Sequence, residues 1–290
     1  MAKLRTNRDD LVRLSVTGEI AHPRFGASVY RISADGEPVC VPGTGGITYN
    51  VRVGDRATGW MGDHVEPGIS MKNHASEEAN GALNVLACVG NEAVVVSGEA
   101  RGAVGRVTGK HGGIEHVMVD FDEATMLRLL PGDRLLVRGF GQGLKLPDHP
   151  DVKCFSLDPD LLDAWAPDAR GDALRVPVTH CVPSAVMGSG LGRDNAFRGD
   201  YDITLFDEAT VAEFGLEDLR LGDLVAITDA DTTFGRHYRR GAVIIGIIAH
   251  SDSHIAGHGP GVTCLLTARG GKIEPVIDPG ANIAGILGLR

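Results

Sequence analysis

Residues 242–249, AVIIGIIA, form an apolar run of strand length with no polar position to expose, which predicts a strand buried on both faces. Residues 11–20 instead alternate, with Val12, Leu14 and Val16 set against Arg13, Ser15 and Thr17, the period of a strand with one wet face. Shorter runs of strand character fall at 47–53, 93–97, 105–108, 116–121, 175–182 and 224–231. Pro177 cannot donate to a ladder, so it marks the run at 175–182 as an edge. One helical stripe, Ala79, Leu83, Leu86 and Ala87, predicts a helix over 76–88, with Ser76 as its N-cap and acids in its first turn. Gly81 within it costs about 1 kcal/mol relative to alanine. A second, short helix is predicted at 161–165.

The chain also repeats itself. The pentapeptide Phe-Asp-Glu-Ala-Thr occurs at 121–125 and again at 206–210. In both copies an Asp (Asp122, Asp207) stands where it can cap a helix, and a Gly-Asp pair (Gly132-Asp133, Gly222-Asp223) then turns the chain into a strand. A third pair, Gly54-Asp55, has no helix before it. The matched order argues for duplication. This strand–helix–GD–strand unit resembles the half-repeat of cradle-loop and double-psi β-barrels. The glycine spacing of residues 91–121 resembles the KOW element of small SH3-like barrels. The expected fold is therefore mainly β (α+β): two associated β-barrel-like domains with a few short helices. A Pro- and Asp-rich stretch at 143–172 links them. The boundaries follow as an N-terminal β-rich domain, 1–142, holding the KOW-like stretch, and a C-terminal barrel-like domain, 143–290, carrying the polar site.

Composition narrows the function classes. A hydrophobic content of 43% supports a real core, and 40 glycines in 290 residues favour many turns and short strands. A net charge of −10 opposes a general nucleic-acid-binding surface. Five scattered cysteines without a C-x-x-C read as reduced thiols of a cytoplasmic protein, not as a disulfide framework or a zinc ribbon. The N-terminus lacks an apolar signal core, and no run approaches the ~20 residues of a membrane helix.

The polar residues gather after the strands. Beyond 242–249 come His250, Asp252, His254 and His258. If the strand continued, the first three would face one side, and two imidazoles with a carboxylate suit a divalent zinc, manganese or iron ion. Gly257, Gly259 and Gly261 can bring His258 back to them. These four are the expected metal ligands; the competing reading is a solvated loop. Asp229, Asp231, Asp200, Asn195 and His237 are the candidate acid–base or orienting groups, and Arg198, Arg236, Lys110 and His111 the candidates for holding substrate. Asp194 and the glycines of residues 188–192 belong to the same polar loop, whose spacing fits neither a dinucleotide nor a P-loop fingerprint, so no nucleotide cofactor is indicated. Asp63, His64 and Glu66 form a second cluster that reads as a turn or as part of the same site.

The segments GNEAVVVSGEARG, VTGKHGG, DNAFRGDYDI and DADTTFGRHYRRGAVIIGIIAHSDSHIAGHGPGV resemble the family called domain of unknown function 4438, along nearly the whole chain. The resemblance implies two associated, mainly β domains and transfers no chemistry. The residues place first an enzyme acting on a small polar substrate, metal-assisted and of hydrolase or lyase type. A non-catalytic ligand-binding or homo-oligomeric module comes second, and a KOW-like nucleic-acid binder third.

Overall fold

The computed structural model describes residues 3–25, 28–188 and 195–290. In the N-terminal half six strands, β1 (Leu14–Ile20), β2 (Gly68–Lys72), β3 (Glu92–Val95), β4 (Val104–His111), β5 (His116–Asp120) and β6 (Arg134–Gly139), pair in the order β1-β6-β3-β4-β5-β2. A further pairing of β2 with β1 closes the sheet into a barrel. Ile20, Ile69, Met71, Val107, Val119, Leu135 and Val137 fill it. The helix α1 (Glu77–Leu86) adds Leu83 to that core and is capped as its sequence predicts, the Ala79 N–H donating to Ser76 Oγ at 3.1 Å. The alternation of residues 11–20 holds only at its far end. Ile20 is buried, whereas Leu14 is 53% exposed, because β2 accompanies β1 only at Glu19 and Ile20.

In the C-terminal half β7 (Lys153–Cys154), β8 (His180–Pro183), β9 (Tyr201–Asp202), β10 (Leu224–Asp231), β11 (His237–His250) and β12 (Gly261–Ala268) form the second sheet, ordered β7-β12-β11-β10-β8 with β9 on β12. The run at 242–249 is the inner part of β11. Its side chains alternate between two cores, Ile245 and Ile247 on one face and Ile244 and Ile248 on the other, which is why no polar position interrupts it. The strand Ala173–Val178 is not the edge that Pro177 suggested. It lies between Asp168–Arg170 and Ile273–Ile277, but the former ends at the partner of Arg175, so the missing Pro177 donor faces no ladder on that side.

The duplicated unit keeps its local chemistry. Asp122 caps α2 (Glu123–Met126), and Asp207 caps the helix Glu208–Phe214. In all three Gly-Asp turns the glycine is left-handed, with φ of 97° at Gly54, 91° at Gly132 and 84° at Gly222. The aspartate that follows accepts from the N–H three residues back, Arg52, Leu130 and Arg220 respectively, at 2.7 to 2.9 Å. The halves meet where β4 crosses β11 and β12. A Cβ on Gly109 would stand 2.7 Å from the Ala249 Cβ, and the Lys110 N–H donates to Thr263 Oγ1 at 2.9 Å. Among the described residues no helix is long and apolar enough to cross a membrane.

Candidate functional site

The seam between the halves ends in a cluster of buried imidazoles and carboxylates. β4 runs beyond the expected 105–108 through Lys110 and His111; both remain in the strand and are buried. His111 therefore points into the seam. From the facing sheet come Asp200 and Asp202, at and beside β9, then His250 at the end of β11 and His258 in the loop before β12. His64 enters from the loop before β2 in a left-handed conformation, φ 53°, which a residue with a Cβ seldom adopts. The His111 and His250 rings lie 4.2 Å apart between centroids, and His64 lies 5.1 Å from His250 and from His258. Asp63, His64, His111, Asp200, Asp202 and His258 form one wall of a cavity of about 580 Å³, with Arg24 and Arg31 also lining it.

At the base of the wall, His250 Nδ1 lies 2.9 Å from the Ser251 carbonyl and donates to it, which turns Nε2 towards Asp200. Nε2 lies 2.6 Å from Asp200 Oδ2, yet the two are not aligned for a hydrogen bond, and neither atom has another partner. Both side chains are at most 2% exposed. The other Asp200 oxygen accepts from the Gly112 N–H at 2.7 Å, so the carboxylate is fixed. Gly261 keeps the space open: a Cβ there would fall 1.9 Å from Asp200 Oδ2 and 2.2 Å from His250 Nε2. Asp202 reaches both sides. Its Oδ1 lies 3.7 Å from His250 Nε2, while Oδ2 lies 2.9 Å from His258 Nδ1 and 3.5 Å from His64 Nε2.

A second layer orients these rings. Asp63 Oδ2 lies 3.3 Å from His64 Nδ1 and accepts from Arg31 at 2.7 Å; its Oδ1 accepts from Ser253 Oγ at 2.6 Å. Glu66 is fully buried and lies 2.6 Å from His111 Nδ1 and 2.9 Å from His116 Nδ1; it also accepts from the Gly45 N–H and Ser70 Oγ. Burial alone would raise the Glu66 carboxyl, but His116 and His111 outweigh it and hold the group well below the usual range. Burial also opposes ionisation of Asp202, and there the hydrogen bonds of His258 and His64 with the charge of His250 prevail, lowering it. Asp63 is lowered in the same way, chiefly by His64. Burial and the nearby His250 push His111 down, so it is a neutral ring donating from Nδ1 to Glu66. Burial would lower His250 too, but Asp200 and Asp202 carry it up to about 9.

Of the sequence candidates, the structure brings together His250, His258, Asp200 and His111, and adds Asp202, His64, Asp63 and Glu66. It does not bring Asp252 or His254. The strand ends at His250, so the assumed alternation stops there. The next residues instead fasten to the 57–66 loop: the Asp252 N–H donates to Ala57 O, its carboxylate accepts from Gly59 N–H at 3.1 Å, and the His254 N–H donates to Asp63 Oδ1. Asp229 accepts from the Gly241 N–H at a bulge, and Asp231 is engaged by Arg269 at 2.5 Å and Thr233, with His237 at 3.7 Å. Asn195 accepts from the Phe197 N–H. Arg198 pairs with Glu115 at 2.7 Å, and Arg236 donates to Gly188 O while covering the Tyr201 ring. Lys110 is wholly buried on Ser156 Oγ and Phe197 O, burial lowers it to about 8, and it does not line the cavity. Asp194, Gly190 and Gly192 lie outside the described residues. The signals for the added residues were the D-H-x-E cluster at 63–66 and the Asp200-x-Asp202 spacing, which cannot reveal that loops so far apart in sequence meet.

Among the curated proteins compared, none matches this chain. A solved structure described as "Crystal structure of TM1086" is similar along 98% of this chain and 99% of its own, with a TM-score of 0.92 and 46% identity. The model of the N-terminal part of domain of unknown function DUF4438 matches residues 30–163, and the model of its C-terminal part matches residues 165–287. The chain therefore belongs to the DUF4438 family.

Proposed function

We propose that this protein is a divalent-metal-dependent enzyme of hydrolase or lyase type acting on a small polar substrate, with the ion held by His250, Asp200 and Asp202. One observation carries the reading: His250 Nε2 and Asp200 Oδ2 are buried, lack hydrogen-bond partners and converge beside the cavity. An unmade hydrogen bond of that kind costs about 1–3 kcal/mol per group, more for charged ones, and a metal cation that displaces the His250 proton would serve both atoms. Imidazole and carboxylate donors suit zinc, manganese or iron. Beside that position Asp63 fixes His64 and Glu66 fixes His111, so the neighbouring rings are held in place. A bound ion would polarise a substrate carbonyl or lower the pKa of a water. Arg24 and Arg31 line the same cavity and offer positive charge to an acidic substrate group.

The test is elemental analysis of untagged protein, with a His250→Ala/Asp200→Asn double variant beside it and a screen of ester, amide and dehydration substrates on both. Near-stoichiometric metal and turnover, both absent from a folded double variant, are expected. A wild type that stays metal-free after incubation with zinc, manganese and iron would remove the proposal.

A further inference from the structure

We infer that the cluster holds two cations, not one, with Asp202 bridging them: one oxygen turned to the His250–Asp200 position, the other to a second position formed by His64 and His258. This rests on the metal-dependent reading above and deepens it. The ligand-capable atoms divide into two triads, Asp200–Asp202–His250 and His64–Asp202–His258, and only Asp202 belongs to both. Its two oxygens are already sorted between them. Oδ1 is the one 3.7 Å from His250 Nε2, and Oδ2 is the one within 2.9 Å of His258 Nδ1 and 3.5 Å of His64 Nε2.

The second triad is equally compact. His64 Nε2 faces His258 Nδ1 at 3.2 Å, and Asp202 Oδ2 lies 2.9 Å from that nitrogen and 3.5 Å from His64 Nε2. A cation among the three atoms would take one ligand from each. The scale also fits. Paired ions bridged by a carboxylate stand about 3.5–4 Å apart, and the rings of His64 and His250, one from each triad, have centroids 5.1 Å apart. Two ions there would supply charge to both the entering and the leaving oxygen of a hydrolytic displacement, in which water adds and the alcohol departs with its proton. This points to substrates presenting two oxygens to the cavity, such as a phosphoester or a carboxylate beside a carbonyl.

The experiment is equilibrium dialysis of metal-stripped full-length protein against zinc(II) and, separately, manganese(II). Electron paramagnetic resonance follows on the manganese form, and folding is checked by near-ultraviolet circular dichroism. The expected result is two ions per chain and an exchange-coupled multiline manganese spectrum. A His258→Ala variant should keep one ion with an uncoupled six-line spectrum, and the milder Asp202→Asn should lose the coupling. One ion per wild-type chain with both metals overturns the pair and leaves the metal-dependent reading standing. Two ions without coupling overturn the bridge. No ion at all overturns the inference together with the reading on which it rests.

Discussion

The strand β11 carries an acid–histidine pair near each end, and the two differ in what satisfies them. At its start His237 approaches Asp231, but Arg269 and Thr233 already occupy that carboxylate, and His237 itself is half exposed. At its end His250 approaches Asp200, both are sealed from solvent, and the atoms that face each other have no aligned hydrogen-bond partner. The sequence shows the same residue types at both ends. What separates an ordinary ion pair from a candidate cation site is whether neighbouring groups satisfy the buried atoms, and that is decided in the folded state.

The sharpest way to break the contrast is Gly261→Ala. Its methyl group would fall between Asp200 and His250, so the ion should be lost and overpacking should cost about 1–3 kcal/mol by denaturant titration. Unchanged metal content in this variant would mean that the gap between those two side chains holds nothing.

Lys110 extends the comparison to a buried charge with hydrogen-bond acceptors and, among the described residues, no carboxylate on it. Its folded pKa, about 8, lies below the ordinary lysine value of 10.5, so the unfolded chain binds the proton more tightly. Stability should therefore rise with pH from about 8 to 10.5, by about 3 kcal/mol at most. Lys110→Met should flatten that rise, read from urea midpoints across the pH series.

Asp63→Asn tests the layer behind the rings. It removes the charge facing His64 Nδ1, and affinity at the second position should weaken by about 10–100-fold with the fold intact, measured by competition with a chelating dye.

The smallest effect belongs to the satisfied end. The Arg269 side chain is 40% exposed, so solvent screens much of the pair, and Arg269→Ala should cost about 1 kcal/mol. Asp231 is lowered in the folded protein: burial would raise it, and the Thr233 and Arg269 contacts outweigh that. Its contribution is thus present above the ordinary aspartate range and lost as the pH falls through the folded value. Thermal melts between pH 3 and 6 should show a shallower acid limb in the variant, with metal content unaffected.

Most of the architecture was legible in local pattern. The run in β11, the Ser76 cap, the duplicated Asp-capped helix and the Gly-Asp turns are decided within a few residues of one another, so a reading of neighbours finds them. The candidate site was legible only in parts. His250, His258 and Asp200 stood out by type and spacing, but Asp252 and His254 are drawn off by the hydrogen bonds that fasten the 251–254 segment to the 57–66 loop. Lys110 and His111 lie beyond the run at 105–108 and two glycines follow them, yet β4 continues through both, since Thr263 on the facing sheet takes up the Lys110 backbone. Such outcomes depend on partners more than 150 positions away, and no local period encodes them.

His64 and His111 come from one half of the chain and His250, His258, Asp200 and Asp202 from the other, so a cation at their meeting point would act as a fastener. Fastening by a soluble ion follows mass action: well above the dissociation constant, each tenfold rise in free metal would add about 1.4 kcal/mol to the folded state of the whole chain. The seam would then make the protein's endurance a record of metal supply, firm in a replete cell and the first to loosen in a starved one.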